Sequence, residues 1–229
     1  MAHIHGHLKS KTKIADKNRF GTTWSAFNDA KTISGLDLIL DACAEPATAK
    51  CGHFIDRLKR QDALALDWSF EFNKAAKAHC ALMSRATKLG SCATGIWCNP
   101  PFDDKLEFIQ KSYDTVQQYK IPVLMMLPYE RQSIWWQVMV HNVASKVYLP
   151  DRRYKYYKVD GKTVQNGVNF ASAFILFENT VINTTQYVDF NVQKFRDSQS
   201  ARTALPKLDL IALERQELKE RRAKTLVTY

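Results

Sequence analysis

Two successive prolines between an asparagine and an aromatic residue, Asn99-Pro100-Pro101-Phe102, are the part of this chain best suited to chemistry. Neither proline can continue a strand or sit inside a helix, so the four residues form a rigid loop. Such a loop answers a specific problem, methyl transfer to an exocyclic amine, whose lone pair is delocalised into its ring. The Asn99 side-chain oxygen and the Pro100 carbonyl could each accept one amino proton. That would hold the nitrogen in line with a methyl donor and stabilise the positive charge developing on it. Phe102 offers an aromatic face to the base, and Pro101 helps to fix the loop in advance. The same four residues could also be a stiff turn and nothing more.

A second group lies earlier. The apolar run Leu36 to Leu40, preceded by Gly35, reads as a buried strand ending at Asp41, and Asp41-Ala42-Cys43-Ala44-Glu45-Pro46 reads as a turn of small residues. In an open α/β sheet, strand ends at Asp41 and before Asn99 share the carboxyl edge, where ligands bind. The amino acid portion of a sulfonium methyl donor could rest against Asp41, Cys43 and Ala44 with its methyl toward Asn99; the alternative is an acid that merely starts a helix. Asp67 could accept a hydrogen bond from the donor's adenine with Trp68 packed beside it, or be a capping Asp next to an interface Trp. No GxGxxG or GKS/T pattern is present, which leaves no case for a nicotinamide or a phosphate loop.

The third group is basic. Lys146 to Lys162 interleaves Arg152, Arg153, Lys155, Lys158 and Lys162 with Tyr148, Tyr154, Tyr156 and Tyr157. Cations alternating with aromatics suit a surface that contacts phosphates and stacks on an extruded base, with Arg152, Arg153, Tyr154, Lys155 and Lys158 as the DNA-binding set. A solvated hairpin would have a similar composition. The net charge of +10 favours a polyanionic partner.

The elements that must position these groups read as alternating strands and helices. Phe54-Ile55 and Leu64 to Leu66 are strand candidates, residues 71–88 are helical in composition, and Ala93 to Cys98 forms the strand ahead of the loop. A helix follows with Leu106, Ile109, Tyr113 and Val116 at helical spacing and Asp104 as its cap. Val123 to Leu127 is a continuous apolar strand covered on both faces. Another helix carries Ile134, Trp135, Val138 and Met139, and a strand runs from Lys146 to Leu149. Ala173 to Phe177 with Val181-Ile182 suggests an edge hairpin, and Pro206 opens a charged helix. This order predicts an α/β, mostly parallel, doubly wound sheet with helices on both faces. The expected organisation is a flexible basic arm over 1–20, one domain over 21–185 with a helix-rich insertion at 69–92, and a basic helical extension over 186–229.

At 229 residues and 45% hydrophobic, the chain can bury one sizeable core. Cys43, Cys51, Cys80, Cys92 and Cys98 are irregularly spaced and fit no zinc pattern, so free thiols and no metal are expected. No apolar run could span a bilayer or serve as a secretory signal, which predicts a cytoplasmic product with no membrane partner. The oligomeric state is left open between monomer and weak dimer.

Taken in order, several stretches resemble the phage-type DNA N-6-adenine methyltransferases, a Dam-like family. They are Thr23-Trp24, Leu40 to Ala44 with Ala49-Lys50-Cys51, Asp62-Ala63-Leu64 with Asp67-Trp68, and Trp97 to Phe102. Leu127-Pro128 with Trp135-Trp136 and Asn169 to Ser172 complete the set. The resemblance implies a Rossmann-like fold, S-adenosyl-L-methionine as cofactor, DNA as partner and the host cytoplasm as location. It also implies Asp41 as the cofactor-turn acid and Asn99 to Phe102 as the catalytic loop. A GATC-like target is what the family suggests. The chain departs from the family in its 69–92 insertion, in Ala63 where glycine is usual, and in placing Arg131 behind Tyr129 and Glu130. Cytosine N4, RNA adenine and protein glutamine are the competing substrates, and a decayed, DNA-binding relative is the competing class.

Overall fold

The computed structural model describes residues 18–59, 62–83, 93–165, 170–180 and 183–192. Most of the basic arm, residues 84–92, Val181-Ile182 and the helix expected at Pro206 lie outside them. In chain order the elements are β1 (Gly21–Thr22), α1 (Trp24–Ser34), β2 (Asp37–Ala44), β3 (His53–Asp56), α2 (Trp68–Met83) and β4 (Thr94–Cys98). Then come α3 (Lys105–Tyr119), β5 (Val123–Pro128), α4 (Ile134–Met139), β6 (Lys146–Pro150), β7 (Tyr156–Tyr157), β8 (Val164–Gln165), β9 (Ser172–Phe177) and β10 (Gln186–Phe190).

A seven-stranded sheet runs in the order β10-β6-β9-β5-β4-β2-β3, and β1-β7-β8 form a small separate sheet. Every pairing in the large sheet is parallel except the two made by β9, which is antiparallel to both β5 and β6. The alternation of side chains along the strands, interrupted in β2 by a register shift between Leu38 and Leu40, divides the core into two layers. Leu40, Ala42, Ile96, Cys98, Met125 and Ile175 face α2, α3 and α4. Leu38, Trp97, Leu124, Met126 and Phe174 face α1 and the tyrosines of the small sheet. The expected fold class holds, with one helix and a strand ribbon covering the second face. It matches the Rossmann-like methyltransferase sheet that the resemblance implies.

Several local expectations are corrected. Strand β2 does not stop at Asp41 but continues to Ala44, its register against β3 shifting between those two residues. The turn therefore begins at Glu45. Leu64 to Leu66 form a turn instead of a strand, because Asp62 gathers the backbone N–H of Leu64 on its side chain and those of Ala65 and Leu66 on its carbonyl. Helix α1 has no counterpart in the sequence reading; Thr23 Oγ1 caps it by accepting from Ala26 N. Asp104 makes no side-chain cap on α3. In α4 only Trp136 is buried, while Ile134 and Val138 face outward.

Strand β9 is no edge element. Its six residues Ser172 to Phe177 are all buried between two neighbours, the property a continuous apolar run should have signalled.

The small sheet braces the turn after β2. Gly161, at φ +64°, lies so close that an added Cβ would fall 1.9 Å from the Ala47 carbonyl oxygen. Gly161→Ala should therefore displace the turn, adding to the roughly 1–2 kcal/mol cost of a left-handed alanine. The expected result is a lower Tm and faster amide hydrogen exchange across residues 45–50. Gly52→Ala, whose methyl meets nothing within 4 Å, is the control. Equal behaviour of the two variants would remove the bracing role.

Candidate active site

Strands β2, β3, β4 and β5 run the same way, so their carboxyl ends share one edge of the sheet. Asp41 stands opposite Trp97 in the β2–β4 register, which brings the turn after Ala44 and the loop after Cys98 together. Burial first of all, then the nearby Cys43 and the charge of Asp41, raise the Cys98 thiol, consistent with that approach.

Asn99 is half-buried at the end of β4, and its Oδ1 is shielded from solvent without a hydrogen-bond partner among the described residues. Leaving a buried acceptor unpaired costs about 1–3 kcal/mol. Such an atom fits a donor supplied by a ligand. Pro100 is buried and Pro101 half-buried; Asp104 N donates to the Pro101 carbonyl at 3.2 Å, closing the loop into a turn.

Phe102 meets Phe170 edge-to-face at 4.9 Å and Tyr156 at 6.3 Å, and Tyr156 and Phe170 lie 5.8 Å apart. The Tyr156 hydroxyl is hydrogen-bonded to Ser172 Oγ at 2.7 Å. These three rings form an apolar wall beside the Asn99 oxygen's loop. The sequence assigns the base Phe102 and, as a group, the tyrosines of the basic segment; the Phe170 contribution could have been suspected from its place just ahead of the buried β9 run.

Asp41 is almost fully buried. Its Oδ1 accepts from Cys43 N at 3.3 Å and its Oδ2 from Lys50 N at 3.0 Å, so one carboxylate ties the strand end to the far side of the turn. Burial pushes its pKa up to about 6, against the lowering effects of the Lys50 backbone, the Lys50 charge and the Cys43 backbone. Within the turn, the Glu45 carbonyl accepts from Thr48 N and Ala49 N, both at 2.9 Å. The Lys50 ammonium lies 4.7 Å from the Trp24 ring centre and 5.5 Å from that of Tyr157.

Burial and the Asp41 charge push the Cys43 thiol up to about 12, which favours its neutral form. Cys43 and Ala44 can line the turn, Cys43 as a neutral thiol.

Asp67 and Trp68 are taken up by the fold. Asp67 Oδ1 accepts from Ser69 N, Ser69 Oγ and Phe70 N, capping α2, and the Ser69 hydroxyl bond first of all keeps its carboxyl below the usual range. Trp68 is buried against Phe108, with its indole N–H on the Ala63 carbonyl at 2.7 Å. These are the contacts of the capping and interface alternatives, the capping ones made through Oδ1 alone in an otherwise exposed Asp67. Asp56 was missed. It is a buried carboxylate at the carboxyl end of β3, next to β2, holding Leu58 N at 2.9 Å. An acid in that position of an open α/β sheet can hold ribose hydroxyls. The signal was an acid closing the Phe54-Ile55 strand.

The basic segment divides along its length. Arg153, Lys155 and Lys158 are exposed, and Arg152 is exposed but paired bidentately with Asp151 at 3.0–3.2 Å. Tyr154 does not fit the expected DNA contact. It is buried against Phe174, and its hydroxyl donates to Asp29 Oδ2 at 2.6 Å. Burial, then that bond, raise its phenol far above the ordinary range. Tyr156 is buried likewise, so the alternating pattern sends rings inward and cations outward.

Among the described residues no group of three or more His, Cys, Asp or Glu is arranged to hold a metal, and no helix is long and apolar enough to cross a membrane. A protein-family model described as DNA N-6-adenine-methyltransferase (Dam) matches residues 9–202. The chain is 24% identical over 170 residues to a DNA N-6-adenine-methyltransferase of Haemophilus phage HP1 (strain HP1c1), covering 74% of this chain and 84% of that one. No solved structure matches.

Proposed function

The chain belongs to the DNA N-6-adenine-methyltransferase (Dam) family, and from that premise we propose that it transfers a methyl group directly to N6 of a flipped-out adenine held at the Asn99 loop. The observation that carries this reading is the shielded, unpaired Asn99 Oδ1. It accepts one amino proton of the base while the Pro100 carbonyl accepts the other. Both acceptors are preorganised, and both interactions strengthen as the nitrogen becomes positive. Phe102, with Phe170 and Tyr156 behind it, receives the face of the extruded base.

S-adenosylmethionine, when bound, supplies an activated methyl group on a sulfonium. The Glu45 to Lys50 turn, braced by Asp41, would hold its amino acid portion, and the Asp56 carboxylate at the end of β3 would take its ribose hydroxyls. Cys43 stays a neutral thiol beside the turn, so no covalent relay is offered there. Direct transfer predicts inversion at the methyl carbon. Cofactor carrying a chiral methyl group should give inverted product; retained configuration would require a methylated intermediate and reject the in-line reading.

The outward cations of the basic segment hold DNA phosphates, with Tyr154 acting only to anchor that segment on Asp29 of α1. Changing Arg153, Lys155 and Lys158 together to Ala should flatten the log–log salt dependence of DNA affinity by about 0.9 for each phosphate no longer neutralised. An unchanged slope in a fluorescence titration would place the footprint on another surface.

A further inference from the structure

The residues just ahead of β1 reach both sides of the site. The Arg19 guanidinium holds the Glu45 carboxylate through two parallel bonds, Nε–Oε1 at 2.7 Å and Nη2–Oε2 at 2.8 Å. Asn18 Nδ2 donates to Asp103 Oδ2 at 2.6 Å. Glu45 opens the turn after β2, and its carbonyl organises Thr48 and Ala49. Asp103 follows Phe102 inside the turn closed by the Asp104 N to Pro101 bond. Two consecutive residues, whose Cα atoms are about 3.8 Å apart, therefore bind the two walls between which a methyl group would move.

We propose that Asn18 and Arg19 form a clasp that fixes the spacing between the cofactor turn and the catalytic loop, acting as positioning residues for methyl transfer. The inference rests on the reading of the Asn99 loop as catalytic.

The clasp is anchored on its far side. Phe20 packs with the apolar layer that Phe102 also joins, Gly21 and Thr22 pair with Tyr157 and Tyr156, and Gly21 is the residue on which the Thr48 side chain closes. A Cβ at Gly21 would lie 2.5 Å from Thr48 Cγ2, so β1 and the cofactor turn are already in close contact. The Arg19–Glu45 pair is the stronger tie: it is bidentate and charge-assisted, and the Glu45 side chain is only 9% exposed. Its planar fork fixes direction as well as distance, which a lysine cannot do. The Asn18–Asp103 bond lies at the surface and contributes less. Reactivity depends steeply on such spacing, since a displacement of about 1 Å can cost roughly a hundredfold in rate.

The test combines Arg19→Gln, Arg19→Lys, Glu45→Gln and the Arg19→Gln/Glu45→Gln double variant in the full chain. Single-turnover methylation at saturating S-adenosylmethionine and DNA is read beside Tm and amide hydrogen exchange of residues 45–50 and 100–104. The clasp predicts a roughly ten- to hundredfold slower turnover for Arg19→Gln, partial recovery in Arg19→Lys, and no further loss in the double variant. It also predicts faster exchange in both segments with little change in Tm. An unchanged rate, independent losses that multiply in the double variant, or faster exchange in one segment alone would overturn it. A rate loss that simply follows Tm would reduce the pair to a stabilising contact and overturn it as well. Should Asn99→Ala methylate normally, the catalytic reading fails instead, and the exchange of the two segments still decides whether the clasp exists.

Discussion

Asn99→Ala should lower the single-turnover methylation rate by roughly two to three decades, about 3–4 kcal/mol of transition-state stabilisation, while S-adenosylmethionine binds almost as well as before. The acceptor removed is Oδ1, which is shielded and unpaired among the described residues, so its loss leaves no protein donor stranded there. For the same reason folding should suffer little, and Tm is the check. The Pro100 carbonyl would still take one amino proton, which accounts for residual activity. Phe102→Ala should behave differently. It removes one ring against the extruded base, worth about 1–3 kcal/mol, and it opens a gap beside Phe170 and Tyr156. Weaker DNA capture with some turnover at saturation is the expected pattern. Calorimetry with cofactor and rapid-quench methylation separate the two variants. A near-normal rate in Asn99→Ala would remove the loop from catalysis, and a selective loss of cofactor affinity would move Asn99 into the cofactor pocket.

Cofactor affinity should fall as the pH drops through about 6, and Asp41→Asn should abolish that dependence. Asp41 ordinarily titrates at 3.8, and burial pushes it up to about 6 in the folded chain. The folded state therefore binds this proton more readily than the unfolded one. Its contribution to stability is full below about pH 4 and is lost as the pH rises through 6. A cationic ligand reverses the preference, because it favours the ionised carboxylate beneath the turn. Binding near pH 6 should release a proton, and affinity should decline by up to about tenfold per pH unit below it, the limit for one linked proton. Calorimetry in buffers of different ionisation enthalpy reads the proton release directly. A pH-independent affinity between about 5 and 8 would mean that Asp41 braces the turn without sensing the cofactor's charge.

The sheet was largely legible because its central strands are continuous apolar runs and the Asn99 loop contains two prolines. Asn99 follows the end of β4 as the proline pair implies, whereas Asp41 lies inside β2, three residues before its end, and comes near that loop by standing opposite Trp97. What stayed hidden depends on partners distant in sequence. Asp67 and Trp68 have the residue types of a cofactor site, yet a serine two positions on and a carbonyl five positions back engage them. Tyr154 shows the same limit: its buried partner Asp29 lies in α1, which has no clear apolar signature because it buries Ser25 and Asp29 alongside Ala26, Phe27 and Ala30. Composition found the cations of the basic segment but not which way its rings point. Asp56 was within reach, since an acid closing a strand beside β2 is a local pattern.

The most direct measurement is nucleoside analysis of unmethylated DNA incubated with the purified chain and S-adenosylmethionine bearing an isotopically labelled methyl group. Hydrolysis to nucleosides and mass spectrometry should find the label in N6-methyladenine, and the Asn99→Ala variant should leave it at background over the same interval. Label confined to N4-methylcytosine, or undiluted cofactor with no labelled base despite demonstrated DNA binding, would contradict the account.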